Sequence, residues 1–332
     1  MDWFEKLTGF AEESSLQVRN NLVIEDEIMR SLVNEQSFTC GRLEMPSLAE
    51  LRQRVRDSKT QAGKLSLREI VANVQDLHID KANAGALFQV ASQFNLLEMV
   101  SPNRTPEAGV GIYSHDRTQG PACAVAAGAG TIYRNYFVPV NGQIGQSATN
   151  QIDCLADLGK ALGNSQNRLW QMKNGYALAS QRGLIEINRR LQSYNEQERD
   201  ELRKLLRIGI QWDTQVTLQD CQHQVSQAYC SALPVAYSPL PSKDWEQFAR
   251  LVLEASYEAT ICSAILNANK GDNRLFLTLL GGGVFGNDTN WIMNSIARAL
   301  HLYRDADLDI AIVSYGSSKP SVQKLVESWN NT

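Results

Sequence analysis

Residues 274–314 constrain the fold of this chain more than any other segment. Arg274-Leu275-Phe276-Leu277-Thr278-Leu279-Leu280 is an almost unbroken apolar run. It ends on Gly281-Gly282-Gly283-Val284-Phe285-Gly286-Asn287. A helical stretch from Trp291 to Tyr303 follows, then a second apolar run, Asp309-Ile310-Ala311-Ile312-Val313-Ser314. Short runs this apolar read as strands buried on both faces. Upstream, Pro241-Ser242 opens a helix with Asp244 and Glu246 in its first turn, where acids complement the helix dipole. Trp245, Phe248, Val252, Ala255, Ala259, Cys262 and Leu266 share one face of it, and Lys270-Gly271 is its stop. Helix, strand, glycine loop, helix, strand predicts an α/β fold: a mixed, mostly parallel sheet between two helical layers.

In such sheets ligands bind beyond the carboxyl ends of the strands. Residues 281–287 lie at such an end, directly before a helix. Glycine lets backbone N–H groups approach a ligand closely, and the helix start adds a positive end. The local prediction is an anion, a phosphate group. It is not a P-loop, because Gly286-Asn287-Asp288 lacks the lysine. Gly281, Gly283 and Gly286 satisfy G-x-G-x-x-G literally, but a dinucleotide fingerprint follows the first strand of its domain, and this one lies near the C-terminus. A nicotinamide dehydrogenase and a tight turn with no ligand stay open as alternatives.

The rest of the chain is less legible. Residues 1–65 read as a helical N-terminal extension, with Ser47-Leu48-Ala49-Glu50 in capping-box spacing. Leu87-Phe88-Gln89-Val90-Ala91 reads as a buried strand running into Ser92-Gln93-Phe94-Asn95. Ser101 to Gly130 is rich in Gly, Pro, Ser and Thr and reads as a long functional loop. Residues from about 150 to 206 read as helical, with stretches at Gln151–Leu162, at Arg168–Leu191 and from Ser193 on. Ile208 to Trp212, continuing through Val216 to Leu218, reads as a strand. No internal repeat is evident.

Composition narrows the function classes. The net charge is −4, so non-specific nucleic-acid binding has no electrostatic footprint. No apolar run approaches the roughly 18–20 residues of a membrane helix. Met1 to Arg19 is mixed and acidic, unlike a secretory leader. None of the six cysteines forms a CxxC pair, and the four histidines are scattered. Reduced thiols in a cytoplasmic protein, or one delivered into a host cytosol, are expected. No metal-ligand spacing occurs, so a metal-independent reaction is expected. Ser114 and His115 are neighbours in sequence, which does not make them a nucleophile and its base.

Several of these segments together resemble the macrodomain superfamily. Gly283-Val284-Phe285-Gly286, after a buried strand, looks like its second phosphate-binding loop. Leu253 to Ala259 resembles the helix before that strand. Gln89 to Asn95 is similar to the strand that ends in the family's asparagine. Asn73-Val74-Gln75-Asp76-Leu77 sits where macrodomains place an adenine-recognising aspartate. The likeness covers residues 66–100 and 242–320, and the middle in outline. The first loop departs from the family pattern, carrying Tyr113-Ser114-His115-Asp116-Arg117-Thr118-Gln119-Gly120-Pro121, and a helical insertion follows it. That resembles a divergent branch including arginine-specific ADP-ribosyl hydrolases. The resemblance implies a three-layer α/β/α domain over residues 66–332 and ADP-ribose as ligand, with no cofactor.

The resemblance also assigns roles. Asp76 accepts from the adenine amino group. Gly281, Gly282, Gly283, Val284, Phe285, Gly286 and Asn287 wrap the diphosphate and ribose. Thr118, Gln119 and Gly120 form the opposite wall. Phe94 joins the binding set, and Asn95, counted with the catalytic group, bonds the distal ribose. Hydrolysis at an anomeric carbon needs a carboxylate to activate water and charge to steady an oxocarbenium-like centre. Asp116, Asp288 and Glu98 are the candidate acids, each of which is otherwise a solvated acid or a cap. Arg117 and Arg134 are candidate phosphate contacts. The expected partner is an ADP-ribosylated protein, with arginine as the linkage residue. A reader that binds ADP-ribose without cleaving it, and a hydrolase of a free ADP-ribose derivative, stay open.

Overall fold

The computed structural model describes residues 2–58 and 62–331. A seven-stranded sheet forms its middle layer. In chain order its strands are β1 (Arg42–Glu44), β2 (Ser66–Val71), β3 (Leu87–Ala91), β4 (Gly209–Gln215), β5 (Gln224–Cys230), β6 (Arg274–Leu277) and β7 (Asp309–Ser314). Their spatial order is β1-β4-β5-β3-β6-β7-β2. The five strands from β5 to β2 run parallel, and β4 and β1 pair antiparallel at one side. This is the three-layer, mostly parallel arrangement expected of the apolar runs. β3 sits in the middle, and Leu87, Phe88, Gln89 and Val90 are fully buried.

The pleat sends alternate side chains of β3 to opposite layers. Phe88 stacks on Phe276 of β6, with centroids 4.6 Å apart, and on His78 at 3.8 Å. Gln89 points the other way, and its Nε2 donates to Thr260 Oγ1 at 2.9 Å. Thr260 belongs to the 27-residue helix Ser242–Ala268. That helix is apolar beyond one face because it is wedged among neighbours. It packs against the sheet and against helices Leu48–Asp57, Gln181–Ser193, Glu196–Arg203 and Thr289–Leu302. Those helices meet in an ion network. Glu258 pairs with Arg52 at 2.5 Å and Arg298 at 2.7 Å, and Arg52 also holds Asp200 at 2.7 Å. The other layer carries Val74–Ile79, Gln119–Ala126 and Gly128–Tyr136.

Three segments differ from the sequence reading. Residues 22–39 are not helical: Leu22–Glu25, Ile28–Ser31 and Ser37–Thr39 form a small antiparallel sheet. Its first turn uses Asp26 and Glu27, both at positive φ (47° and 67°), without the glycine that announces such turns. Residues 101–130 are not one loop: after short turns, helix begins at Gln119. Pro121 is tolerated there because first-turn N–H groups have no partner in the helix. Within the expected insertion Ala156–Leu162 is helical, but Trp170–Lys173 and Tyr176–Ala179 form a hairpin, so the helix expected over 168–191 starts only at Gln181. Its Asn174-Gly175 turn was a readable signal. Three sheet strands, β1, β2 and β5, have no counterpart in the sequence reading, and β1 lies inside the segment expected to be a helical extension. In β5, Gln224, Ser226 and Gln227 mask the alternation.

Candidate functional site

A cleft of about 820 Å³ opens at the carboxyl ends of β3, β5 and β6. One wall is the loop after β6, through Gly281, Gly283, Val284 and Phe285. The opposite wall is the start of the Gln119–Ala126 helix, through Asp116, Thr118, Gln119, Gly120 and Pro121. Ser92, Gln93, Glu98, Met99 and Val100, from the segment after β3, lie between them.

The glycine loop is held from behind. The buried Tyr257 hydroxyl donates to Thr278 O at 2.9 Å and accepts from Leu280 N–H at 2.8 Å. Asn287 is buried, and its Nδ2 donates to Leu233 O at 2.8 Å, closing the loop onto the chain after β5. Among the described residues, the N–H groups of Gly283, Val284 and Phe285 donate to no protein acceptor. Successive free amides at a strand end are what an anion requires. Gly281 has φ +72°, and a Cβ there would lie 2.4 Å from the Ala232 Cβ. Gly281→Ala is expected to cost on the order of 1–3 kcal/mol through backbone strain and to weaken binding of an anionic ligand. Urea denaturation and calorimetry check this, and unchanged values in both would show that the loop does not depend on that conformation.

The opposite wall is stitched to β3. Gln119 Nε2 donates to Gln89 O at 2.8 Å, and its Oε1 accepts from Ala91 N–H at 2.9 Å. Gly120 permits this approach, since a Cβ there would sit 1.8 Å from Ala91 O. Asp116 Oδ1 accepts from Thr118 N–H at 2.8 Å. Asp116 also borders a second groove, of about 710 Å³, with Asn73, Gln75, Arg117 and Tyr315.

Glu98 differs from every other acid in the cleft. Its side chain is 1% exposed, yet it borders the cleft. Burial pushes its carboxyl group up to about 7, although Arg134 acts in the opposite direction. One terminal nitrogen of Arg134 lies 3.3 and 3.4 Å from the two Glu98 oxygens. Arg134, named above as a phosphate candidate, is fully buried and does not line the cleft.

The other sequence candidates are placed elsewhere. Asp288 is exposed and caps the Thr289–Leu302 helix, its Oδ1 accepting from Asn290 N–H at 2.7 Å. Asn95 is fully buried; its Nδ2 donates to Gln151 Oε1 at 2.9 Å and its Oδ1 accepts from Leu97 N–H at 3.2 Å. Phe94 is buried in the core. Asp76 is exposed and lines neither groove. Gly282 and Gly286 belong to the glycine loop but not to the cleft wall.

Sequence reasoning named Phe285 but missed Tyr176 and Tyr237, which complete an aromatic group on the cleft. The rings of Tyr176, Tyr237 and Phe285 lie 5.1–5.6 Å apart, centroid to centroid. They come from the hairpin, from the turn after β5 and from the glycine loop. The Tyr176 hydroxyl donates to Met99 O at 2.7 Å, and burial raises its pKa. For Tyr176 the Asn174-Gly175 turn was the available signal. Among the described residues, no group of three or more His, Cys, Asp or Glu side chains is placed to hold a metal ion. No helix among them is long and apolar enough to cross a membrane.

No family model and no curated protein matches the sequence. Solved structures do match. A poly(ADP-ribose) glycohydrolase from Deinococcus radiodurans in complex with ADP-ribose is 12% identical, with a TM-score of 0.46 over 87% of this chain and 94% of that one. The poly(ADP-ribose) glycohydrolase from Thermomonospora curvata is 11% identical, with a TM-score of 0.44 over 95% and 96%. Its complex with the inhibitor ADP-HPD is 12% identical, with a TM-score of 0.43 over the same shares, 95% and 96%.

Proposed function

We propose that this chain binds ADP-ribose in the cleft and hydrolyses the glycosidic bond that joins it to a modified protein, with an arginine side chain as the linkage. The observation that carries the reading is the pairing, in one cleft, of three free backbone N–H groups with a buried carboxyl group poised near neutrality. The amides of Gly283, Val284 and Phe285 take the diphosphate. The rings of Tyr176, Tyr237 and Phe285 pack against the sugar or base. Glu98 is populated in both protonation states at neutral pH, which suits a group that gives a proton to a departing nitrogen and later recovers it. Asp116 lines the same cleft, half-buried, and among the described residues its second oxygen accepts from no protein group; in this reading it orients water. The arginine linkage rests on the resemblance of the sequence to macrodomains.

Calorimetric titration with ADP-ribose, with ADP and NAD as controls, comes first. Incubation with arginine-, serine- and glutamate-linked ADP-ribosyl proteins, and with poly(ADP-ribose), comes next. Binding with release from arginine supports the proposal. Release from another linkage alone moves the substrate, and absence of ADP-ribose binding overturns the reading. Asp116→Asn is expected to lower kcat by about 100-fold with little change in affinity; an unchanged kcat would remove Asp116 from the mechanism. The second reading is a reader that binds without cleaving. The near-complete enclosure of the Glu98 carboxyl favours it, and binding without release would establish it.

A further inference from the structure

Arg134 is a fully buried cation. Such a group is costly to bury unless its charge and donors are matched. Its Nε donates to Leu96 O at 3.0 Å. One terminal nitrogen donates to the Tyr229 hydroxyl, and the guanidinium carbon lies 3.8 Å from the centroid of that ring. The other reaches Thr131 Oγ1 at 3.3 Å and both Glu98 oxygens. Two of these partners, Leu96 and Glu98, belong to the same turn after β3. Leu96 has φ +64°, a backbone state that a leucine adopts only when its surroundings impose it. The Arg134 backbone joins the same turn, because Gln146 Nε2 bridges Asn95 O and Arg134 O at 2.9 and 3.0 Å. The Glu98 N–H donates to the Tyr113 hydroxyl at 3.1 Å.

A guanidinium that served only to neutralise a buried acid would close on it as a short, two-nitrogen pair at about 2.7–2.9 Å. Here a single nitrogen stands 3.3 and 3.4 Å from the two oxygens. Among the described residues, the Glu98 oxygens accept from no other group. The carboxyl group therefore keeps unused acceptor capacity beside the cleft.

We infer that Arg134 is the positioning residue of the cleft: it locks the Leu96–Glu98 turn and one side of the Glu98 carboxyl group, leaving the other side for the substrate. The catalytic consequence rests on the proposed function; the contact itself does not. The titratable groups that bear on Glu98 are Arg134 from the Gly128–Tyr136 helix, Tyr113 from the turn before the cleft wall, Cys123 from the Gln119–Ala126 helix and Tyr229 from β5. Arg134 is the only cation among them.

The test is carbon-13 NMR of protein labelled at the glutamate carboxyl carbons, with the Glu98 signal assigned by its loss in Glu98→Gln. In Arg134→Met the Glu98 carboxyl is expected to become an acid at least about tenfold weaker. Turnover is expected to fall about ten- to 100-fold with KM within about twofold, and Arg134→Lys to recover part of it. In the wild-type protein the Arg134 guanidinium nitrogen signals are expected to move with the same midpoint as Glu98. A folded Arg134→Met protein with unchanged Glu98 titration and unchanged kcat overturns the inference. So do Arg134 signals that stay flat while Glu98 titrates, and this measurement decides the matter if neither variant folds. If the wild-type protein turns over no ADP-ribosyl substrate, the proposed function fails, while the NMR titration still decides the role of Arg134.

Discussion

Glu98→Gln is expected to lower turnover by about 10²–10⁴-fold while ADP-ribose affinity stays within a few-fold. The side chain keeps its size and its contact with Arg134 but can no longer exchange a proton. Single-turnover assays paired with calorimetry separate the two effects. Undiminished turnover would show that Glu98 is a core acid and no part of the chemistry. The same substitution has a signature in stability. Burial holds the Glu98 carboxyl at about 7 in the folded chain, above its ordinary carboxylate value. A raised value means that the folded state keeps a proton that the unfolded chain releases. Its contribution is therefore complete below the ordinary carboxylate range and is lost as pH rises through about 7. Glutamine stays neutral throughout, so the variant is expected to lose less stability than the wild-type protein between about pH 5 and 8. Urea denaturation at both ends of that window reads the difference. On the proposed function, wild-type turnover that needs the protonated acid is expected to decline above about pH 7 for the same reason.

The second large effect lies away from the cleft. Glu258→Ala is expected to cost about 3–5 kcal/mol, because it leaves the buried or half-buried arginines around it short of an anion. Glu258 has a side chain only 2% exposed and holds Arg52 and Arg298 at once. The Tyr303 hydroxyl also donates to it, at 3.3 Å. Denaturant titration measures the loss, and a cost under about 1 kcal/mol would show that Asp200 alone satisfies both arginines. Burial pushes the Glu258 carboxyl up, but hydrogen bonds from Arg52 and Arg298 outweigh it and hold the group below its ordinary range. Its contribution is present above the ordinary carboxylate value and is lost as pH falls through the lower, folded one. His78 acts in the same direction. Burial lowers it to about 4, so the folded chain keeps it neutral while the unfolded chain takes up a proton. Its Nδ1 lies 2.8 Å from Val74 O, and Gln227 Nε2 lies 3.0 Å from its Nε2. In the wild-type chain the His78 loss below about pH 6.5 is opposed by the gain from Glu98 over the same window, so net acid destabilisation is expected as Glu258 titrates, whereas in Glu98→Gln it is expected to begin with His78.

Much of the sheet was legible because its central strands are apolar on both faces and short. β3, β6 and β7 stand out for that reason, and β4 was visible in outline. β1, β2 and β5 were not, since Arg42, Glu44, Arg68, Glu69, Gln224 and Gln227 break the apolar runs. The burial of Gln227 is intelligible only with its partners in place, the Cys123 carbonyl at 3.0 Å and the His78 ring. At the cleft, the glycine loop and the Thr118–Gly120 wall were named from sequence. Tyr176 and Tyr237 were not, because they lie far from Phe285 along the chain and meet it only in the fold.

The sequence alone determined that β3, β6 and β7 are buried strands, where the long helix lies, and that a glycine loop stands at a strand end. These are local properties, set by periodicity, by glycine and by the caps. Only the tertiary structure separates the three candidate acids. Asp116, Asp288 and Glu98 look alike in sequence, as three loop carboxylates. Folding leaves Asp288 on a helix end in solvent and Asp116 half-buried on the cleft wall. It places Glu98 against an arginine 36 positions away, with Tyr229 a further 95 positions on. Desolvation and charge act through space, so the state of a carboxyl group follows from what surrounds it and not from its neighbours along the chain.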